Sequence, residues 1–212
     1  MKLWTPKIRA GVSLAVTLVA AWVLRWDAGD LMWGAWASSL TFGWAFGLVL
    51  IIANPEEVDA GEGPGNWGIL LLMVGFFSAH FMLFHYFQGM VLTMFFPVRP
   101  DTGKLLDLLL YPFPALWLYW PIVAATFFSR FDELRDAAEP SEDNLRLLRP
   151  YGNVVRIQVL VFLFLVLGAM NLIRFAAYPV LILYFFPIPR LAETLKGWLD
   201  KLDSYMNSRG LG

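Results

Sequence analysis

The chain has 212 residues, of which 58% are hydrophobic and 16% charged, a balance far from that of water-soluble domains. A net charge of −1 supplies no basic field, so no nucleic-acid partner is expected. The absence of cysteine excludes disulfides, thiolate metal sites and lipidation through sulfur.

Asp, Glu, Lys and Arg are all missing from six windows: residues 10–24, 31–55, 63–98, 108–129, 157–173 and 175–189. A bilayer core about 30 Å thick takes about 20 apolar helical residues to cross. The pattern therefore predicts an all-α polytopic membrane protein, a six-transmembrane-helix bundle over residues 1–189. Its helices fall at about 7–26, 31–53, 67–96, 112–128, 154–171 and 174–189.

In the first helix, Arg9 and Arg25 extend a short apolar window by reaching outward to the interface. The basic residues ahead of it imitate a signal peptide. No small-x-small cleavage site follows, and Trp22 and Arg25 suit an interfacial end, so the helix is expected to be retained. Asp27-Ala28-Gly29-Asp30 reads as a tight polar turn. The second helix stops at Asn54-Pro55, since the residue before proline disfavours helical geometry. Along it Ala35, Ser39, Gly43 and Gly47 recur every four residues, forming a ridge of small side chains that invites a second helix to pack closely.

Residues 56–65 form an acidic, glycine-rich loop whose Glu56, Glu57, Asp59 and Glu62 lack the spacing of a calcium loop. The third helix, about 45 Å long at 1.5 Å per residue, must tilt, protrude or bend. Pro97 and Pro100 close it, and Pro112 and Pro114 open the fourth helix. Residues 129–150 make a cytoplasmic loop rich in both signs of charge, with a short helix around 132–138. Asn171 and Arg174 interrupt the last apolar stretch, which reads either as two full crossings or as a short hairpin. Leu191, Leu195, Trp198, Leu199, Leu202 and Tyr205 share one face of an amphipathic surface helix over 190–206, followed by a tail at 207–212.

With six crossings and a cytoplasmic N-terminus, twelve Lys and Arg residues lie inside and four outside (Arg25, Arg99, Lys104 and Arg174). That bias places both termini in the cytoplasm and the protein in a bacterial inner membrane. The bilayer itself is the expected partner, with further copies of the chain or other membrane subunits.

Both histidines, His80 and His85, lie in the middle of the third helix, where an ionisable residue is a functional candidate by default. Five residues turn 500°, so the two rings point about 140° apart and do not share one small metal on a straight helix. His85 shares a stripe with Ser78, Gln88 and Gly89. The candidate intramembrane polar site is therefore Ser78, His80, His85 and Gln88. Three uses stand open for it: hydrogen bonding between helices, a polar cavity for a solute or head group, and a cofactor ligand. Bis-histidine haem within one chain is disfavoured, because both histidines are on one helix. Arg156 is a candidate lipid-phosphate contact or a plain cytoplasmic anchor.

No carboxylate falls in any of the six windows, which weighs against coupled transport. HExxH, P-loop, GxSxG and GxGxxG motifs are all missing, and no catalytic residue is assigned.

The stretches Phe76-Phe77-Ser78-Ala79-His80-Phe81-Met82-Leu83-Phe84-His85, with Gly89 beyond, and Arg149-Pro150-Tyr151-Gly152-Asn153-Val154-Val155-Arg156 carry a resemblance. The chain is similar over about residues 31–187 to a family of bacterial integral membrane proteins, domain of unknown function 6498. The chain departs from that pattern at the arginine after Pro-Tyr-Gly and at Gln158, where a histidine is expected. The resemblance implies the fold and His85 as a site candidate, and no reaction. The expected function is a non-enzymatic membrane component that binds lipid or partner subunits. The alternatives are a small-solute or ion pathway lined by Ser78, His85 and Gln88, and a cofactor-binding redox subunit.

Overall fold

The computed structural model describes residues 5–54, 66–96, 112–140, 149–170, 172 and 184. The amphipathic helix expected at 190–206, the tail at 207–212 and, apart from Tyr184, the crossing expected at 174–189 lie outside the described residues. Among the described residues all regular structure is α-helical: α1 (Pro6–Val23), α2 (Ala28–Ala53), α3 (Asn66–Phe95), α4 (Pro112–Leu118), α5 (Trp120–Ser129), α6 (Phe131–Ala137) and α7 (Arg149–Ala169). Three of them, α1, α2 and α3, are long and apolar enough to cross a membrane.

Local sequence explains the boundaries. Thr5 caps α1, its hydroxyl accepting from the Ile8 amide, and Pro6 stands at the first turn, where its missing N–H costs nothing. The Asp27–Asp30 segment, expected as a turn, is instead the start of α2. Asp27 accepts from the Asp30 amide at 2.9 Å while Asp30 accepts from the Asp27 amide at 2.8 Å, a reciprocal capping box.

The single helix expected over 112–128 divides into α4 and α5 at Tyr119. Pro121 has no N–H to give to the preceding turn, and its ring disfavours the helical carbonyl four residues back. The chain tightens there, so that the amides of Ile122 and Val123 both donate to the Tyr119 carbonyl, at 3.1 and 3.3 Å.

α2 is the central helix. It is buried almost continuously from Ala28 to Leu40, and α3, α5, α6 and α7 all pack against it. The pairings fix the directions of the neighbours. Asn54 at the end of α2 donates to the Ala137 carbonyl at 2.8 Å, and Gly34 lies against Ile122, so the α5–α6 stretch runs parallel to α2. Ser13 donates to the Ala125 carbonyl at 2.7 Å and Arg9 pairs with Asp132, so α1 runs antiparallel to that stretch. Phe77 meets Tyr151 and Phe96 meets Phe164, so α3 and α7 run parallel to each other.

Two ends result. One gathers the start of α1, the end of α2, the start of α3, and α6; the other gathers Leu24, Asp27, Phe96, Tyr119 and Met170, and α7 begins part-way along, with Tyr151 against Phe77, His80 and Phe81. Five of the seven described Lys and Arg residues (Lys7, Arg9, Arg130, Arg135 and Arg149) lie toward the first end and Arg25 at the second, while Arg156 stands on α7 between Val154 and Gln158, which meet Gln88 in the second half of α3. The α6 charges are partly inward-facing rather than a uniformly solvated set. Arg9 pairs with Asp132, and the Arg130 guanidinium sits 4.2 Å above the Phe42 ring. Around this frame, large apolar side chains of α1, α3 and α7 point outward, among them Trp22, Leu72, Phe76, Val159 and Phe162.

Candidate functional site

The α2–α3 seam positions most of the residues singled out by the sequence. Phe77, Phe81 and His85 are four residues apart and so lie on one face of α3. That face meets the α2 ridge in antiparallel register. Phe77 packs on Gly47, Phe81 packs on Gly43, and His85 faces Ser39. A β-carbon at Gly43 or Gly47 would run into the phenylalanine ring opposite, so these two positions accept only glycine at this separation. Ala35, the fourth residue of the ridge, is fully buried in the same core.

The close approach brings Ser39 within reach of His85. The His85 Nδ1 is 3.1 Å from the Phe81 carbonyl, which can only accept, so Nδ1 carries the hydrogen and donates. Nε2 is then the bare nitrogen, and the Ser39 hydroxyl donates to it across 3.3 Å. The neighbouring hydroxyls behave differently. Ser38 donates back to the Gly34 carbonyl at 2.7 Å and Thr41 to the Ala37 carbonyl at 2.8 Å, the usual outlet for a hydroxyl inside a helix. Ser39 reaches across to the next helix instead.

A serine hydroxyl on a histidine nitrogen is also the contact that activates a nucleophile. Here Ser39 and His85 are 1% and 0% exposed, with α2 and α3 closed over them, and the contact ties two helices together.

The other candidates find separate partners. Ser78 accepts from the Trp44 indole at 3.0 Å. Gln88 donates through Nε2 to the Val154 carbonyl at 2.9 Å and to Gln158 Oε1 at 3.3 Å, linking α3 to α7. Since the Val154 carbonyl cannot donate, the amide nitrogen must face it, and this leaves Gln88 Oε1 buried without a partner. His80 points elsewhere: it stacks on Phe76 with ring centroids 5.6 Å apart and touches Phe84 and Tyr151 edge-on or tilted at 5.0 and 5.8 Å. Among the described residues its ring nitrogens form no hydrogen bond. Arg156 belongs to α7, but its side chain lies outside the described residues.

Ser78, His85 and Gln88 thus share a stripe along α3 but turn to three different neighbours, two on α2 and one on α7. The two histidines share no ring partner; the ring contacts that link them run through Tyr151 and Phe81. Among the described residues no group of three or more His, Cys, Asp or Glu is placed to hold a metal. A metal at His85 would have to displace the Ser39 hydroxyl.

Three tryptophans on α2 contribute contacts that the sequence did not announce. Trp33 donates to the Phe96 carbonyl at 2.6 Å, Trp36 to the His85 carbonyl at 2.9 Å, and Trp44 to Ser78. Trp33, near the start of α2, is 1% exposed. The readable signal was spacing: Trp33, Trp36 and Trp44 lie along the flank of the glycine ridge. The Ser39–His85 pair had a similar trace, because both helices carry a four-residue period.

No curated protein and no solved structure matches this chain. A family model does match, over residues 3–187, and covers every residue of the seam. The chain therefore belongs to the family of unknown function DUF6498.

Proposed function

We propose that the chain is a non-enzymatic integral component of a bacterial inner membrane, which crosses the bilayer six times and binds lipid or partner subunits through its outer faces. One observation carries this reading. The polar side chains in the middle of the apolar span, Ser78, His85 and Gln88, are each engaged by a different neighbour, while the large side chains around the outside are apolar. In a hydrocarbon medium backbone and side-chain polar groups need internal partners, and helices are held by such bonds and by close packing. A pathway lined by the same three residues would need them to face one lumen, and their separate partners weigh against it.

The gathering of five of the seven described Lys and Arg residues toward one end supports placing that end in the cytoplasm. Tyr184 supports the sixth crossing. It is 8% exposed, and its hydroxyl accepts from Thr126, a residue of the α5 core midway between the two ends.

Native mass spectrometry after extraction in a mild, lipid-preserving detergent tests the reading. It predicts a retained lipid or a protein partner on the bundle. A bare monomer under every mild condition would contradict it.

A further inference from the structure

The outward face of α3 holds a polar group that finds no hydrogen bond among the described residues. His80 is separated from Trp67 by thirteen residues and from Phe95 by fifteen, about 20 and 22 Å along the helix. It therefore sits near the midpoint of the span. An imidazole side chain is too short to reach a headgroup from there, and no Asp, Glu, Lys or Arg occurs in residues 63–98. His80 rests among Phe76, Phe84 and Tyr151 without a hydrogen bond. An unmet donor and acceptor at that depth is costly, which favours a partner for His80 beyond the described residues.

The surroundings of His80 indicate the partner. Ile69, Met73, Phe76, His80, Leu83 and Phe87 follow one another at alternating steps of four and three residues, which gives a straight seam along a helix. Its five apolar members are all exposed, and His80 stands near the middle. This is the pattern by which one helix packs along another, with a single polar residue setting the register. Imidazole carries one donor and one acceptor, so it is complementary to itself. Two copies in the same membrane orientation, related by a two-fold axis along the membrane normal, bring His80 opposite its own counterpart.

We propose that the Ile69–Phe87 seam of α3 is an interface between two copies of this chain, registered by a hydrogen bond between their His80 side chains. The inference rests on the membrane reading above and names one partner class within it.

Because the chain has no cysteine, single-cysteine variants report proximity without background. Leu83→Cys on the seam and Val16→Cys on the outside of α1 are crosslinked in native membranes at low expression. The expected result is a covalent dimer for Leu83→Cys and little for Val16→Cys. His80→Leu is expected to lower the Leu83→Cys dimer about three- to tenfold, as loss of an intramembrane hydrogen bond allows. His80→Gln, which keeps a donor and an acceptor, is expected to hold it within about twofold. Equal crosslinking at Val16 and Leu83, no dimer at Leu83, or a dimer indifferent to His80→Leu overturns the proposal. A monomer that keeps a lipid or a different protein bound also overturns it, while leaving the broader membrane-component reading intact.

Discussion

At the scale of single residues, the α2–α3 seam works because glycine and phenylalanine alternate across it. Gly43 and Gly47 admit the rings of Phe81 and Phe77, and the resulting approach sets Ser39 against His85. Gly47→Leu is therefore expected to destabilise the bundle by about 1–3 kcal/mol, as forced overpacking does. Gly75, on the same helix as those rings, has open space around its missing β-carbon, so Gly75→Ala is expected to leave stability unchanged or raised. Reversible unfolding in mixed detergent micelles separates the two, and equal losses at Gly47 and Gly75 would contradict the packing account. The small-residue ridge itself was legible from its four-residue period. Its occupant was not, because spacing within one helix reports a face and says nothing about which face comes to meet it. The spacing of Trp33, Trp36 and Trp44 beside the ridge was readable as well, but the acceptors their indoles reach on α3 and just beyond it were not, for the same reason.

At the scale of elements, the connections at the two ends do more than the helix boundaries suggest. Asp30 caps α2 and also accepts from the Tyr119 hydroxyl at 2.6 Å, which pins the break between α4 and α5 to the first turn of the central helix. At the opposite end Asn54 stops α2 and binds the last carbonyl of α6. Arg9 joins α1 to α6 through Asp132, with only 11% of the arginine side chain exposed and 34% of the aspartate.

A pair this sheltered lies between an exposed ion pair and a buried one. Asp132→Ala is expected to cost about 1–3 kcal/mol, because it leaves the Arg9 charge without its counter-ion. The double replacement Arg9→Leu with Asp132→Leu is expected to recover most of that loss. Thermal unfolding of the three forms checks it, and a neutral single variant would remove the pair from the account.

The short helix in the charged loop could be read in advance from Asp132 and its neighbours, but its contact with α1 could not, since 123 positions separate the partners. Pro121 was visible in the sequence as well. The single helix expected over 112–128 ran through it, because a proline in an apolar run can kink a helix or divide it, and the surrounding core decides which.

At the scale of the whole molecule, charge-free windows gave the all-helical class and the alternation of directions that α1, α2, α3, α5 and α7 display. The distribution of Lys and Arg in sequence becomes a partial segregation in space, with Arg25 at one end, five of the other described cations toward the opposite one, and Arg156 between them at the level of Gln88. The division of labour follows from the bilayer. Polar side chains inside the bundle bond to neighbouring helices, and the outer surface is left for lipid and for other helices. How far the last apolar stretch crosses could not be read from hydrophobicity, since prolines and Arg174 interrupt it; the position of Tyr184 beside Thr126 is the observation that favours a return.

Sidedness of single cysteines tests this account most directly. Lys7→Cys and Leu24→Cys, placed at exposed positions on opposite ends, are treated in intact cells with a membrane-impermeant thiol reagent, together with Ser208→Cys in the tail. The account predicts that Leu24→Cys reacts in intact cells, whereas Lys7→Cys and Ser208→Cys react only after permeabilisation. Reaction of Lys7→Cys and Leu24→Cys from the same side would contradict the membrane-spanning bundle, and reaction of Ser208→Cys from the side of Leu24→Cys would contradict six crossings.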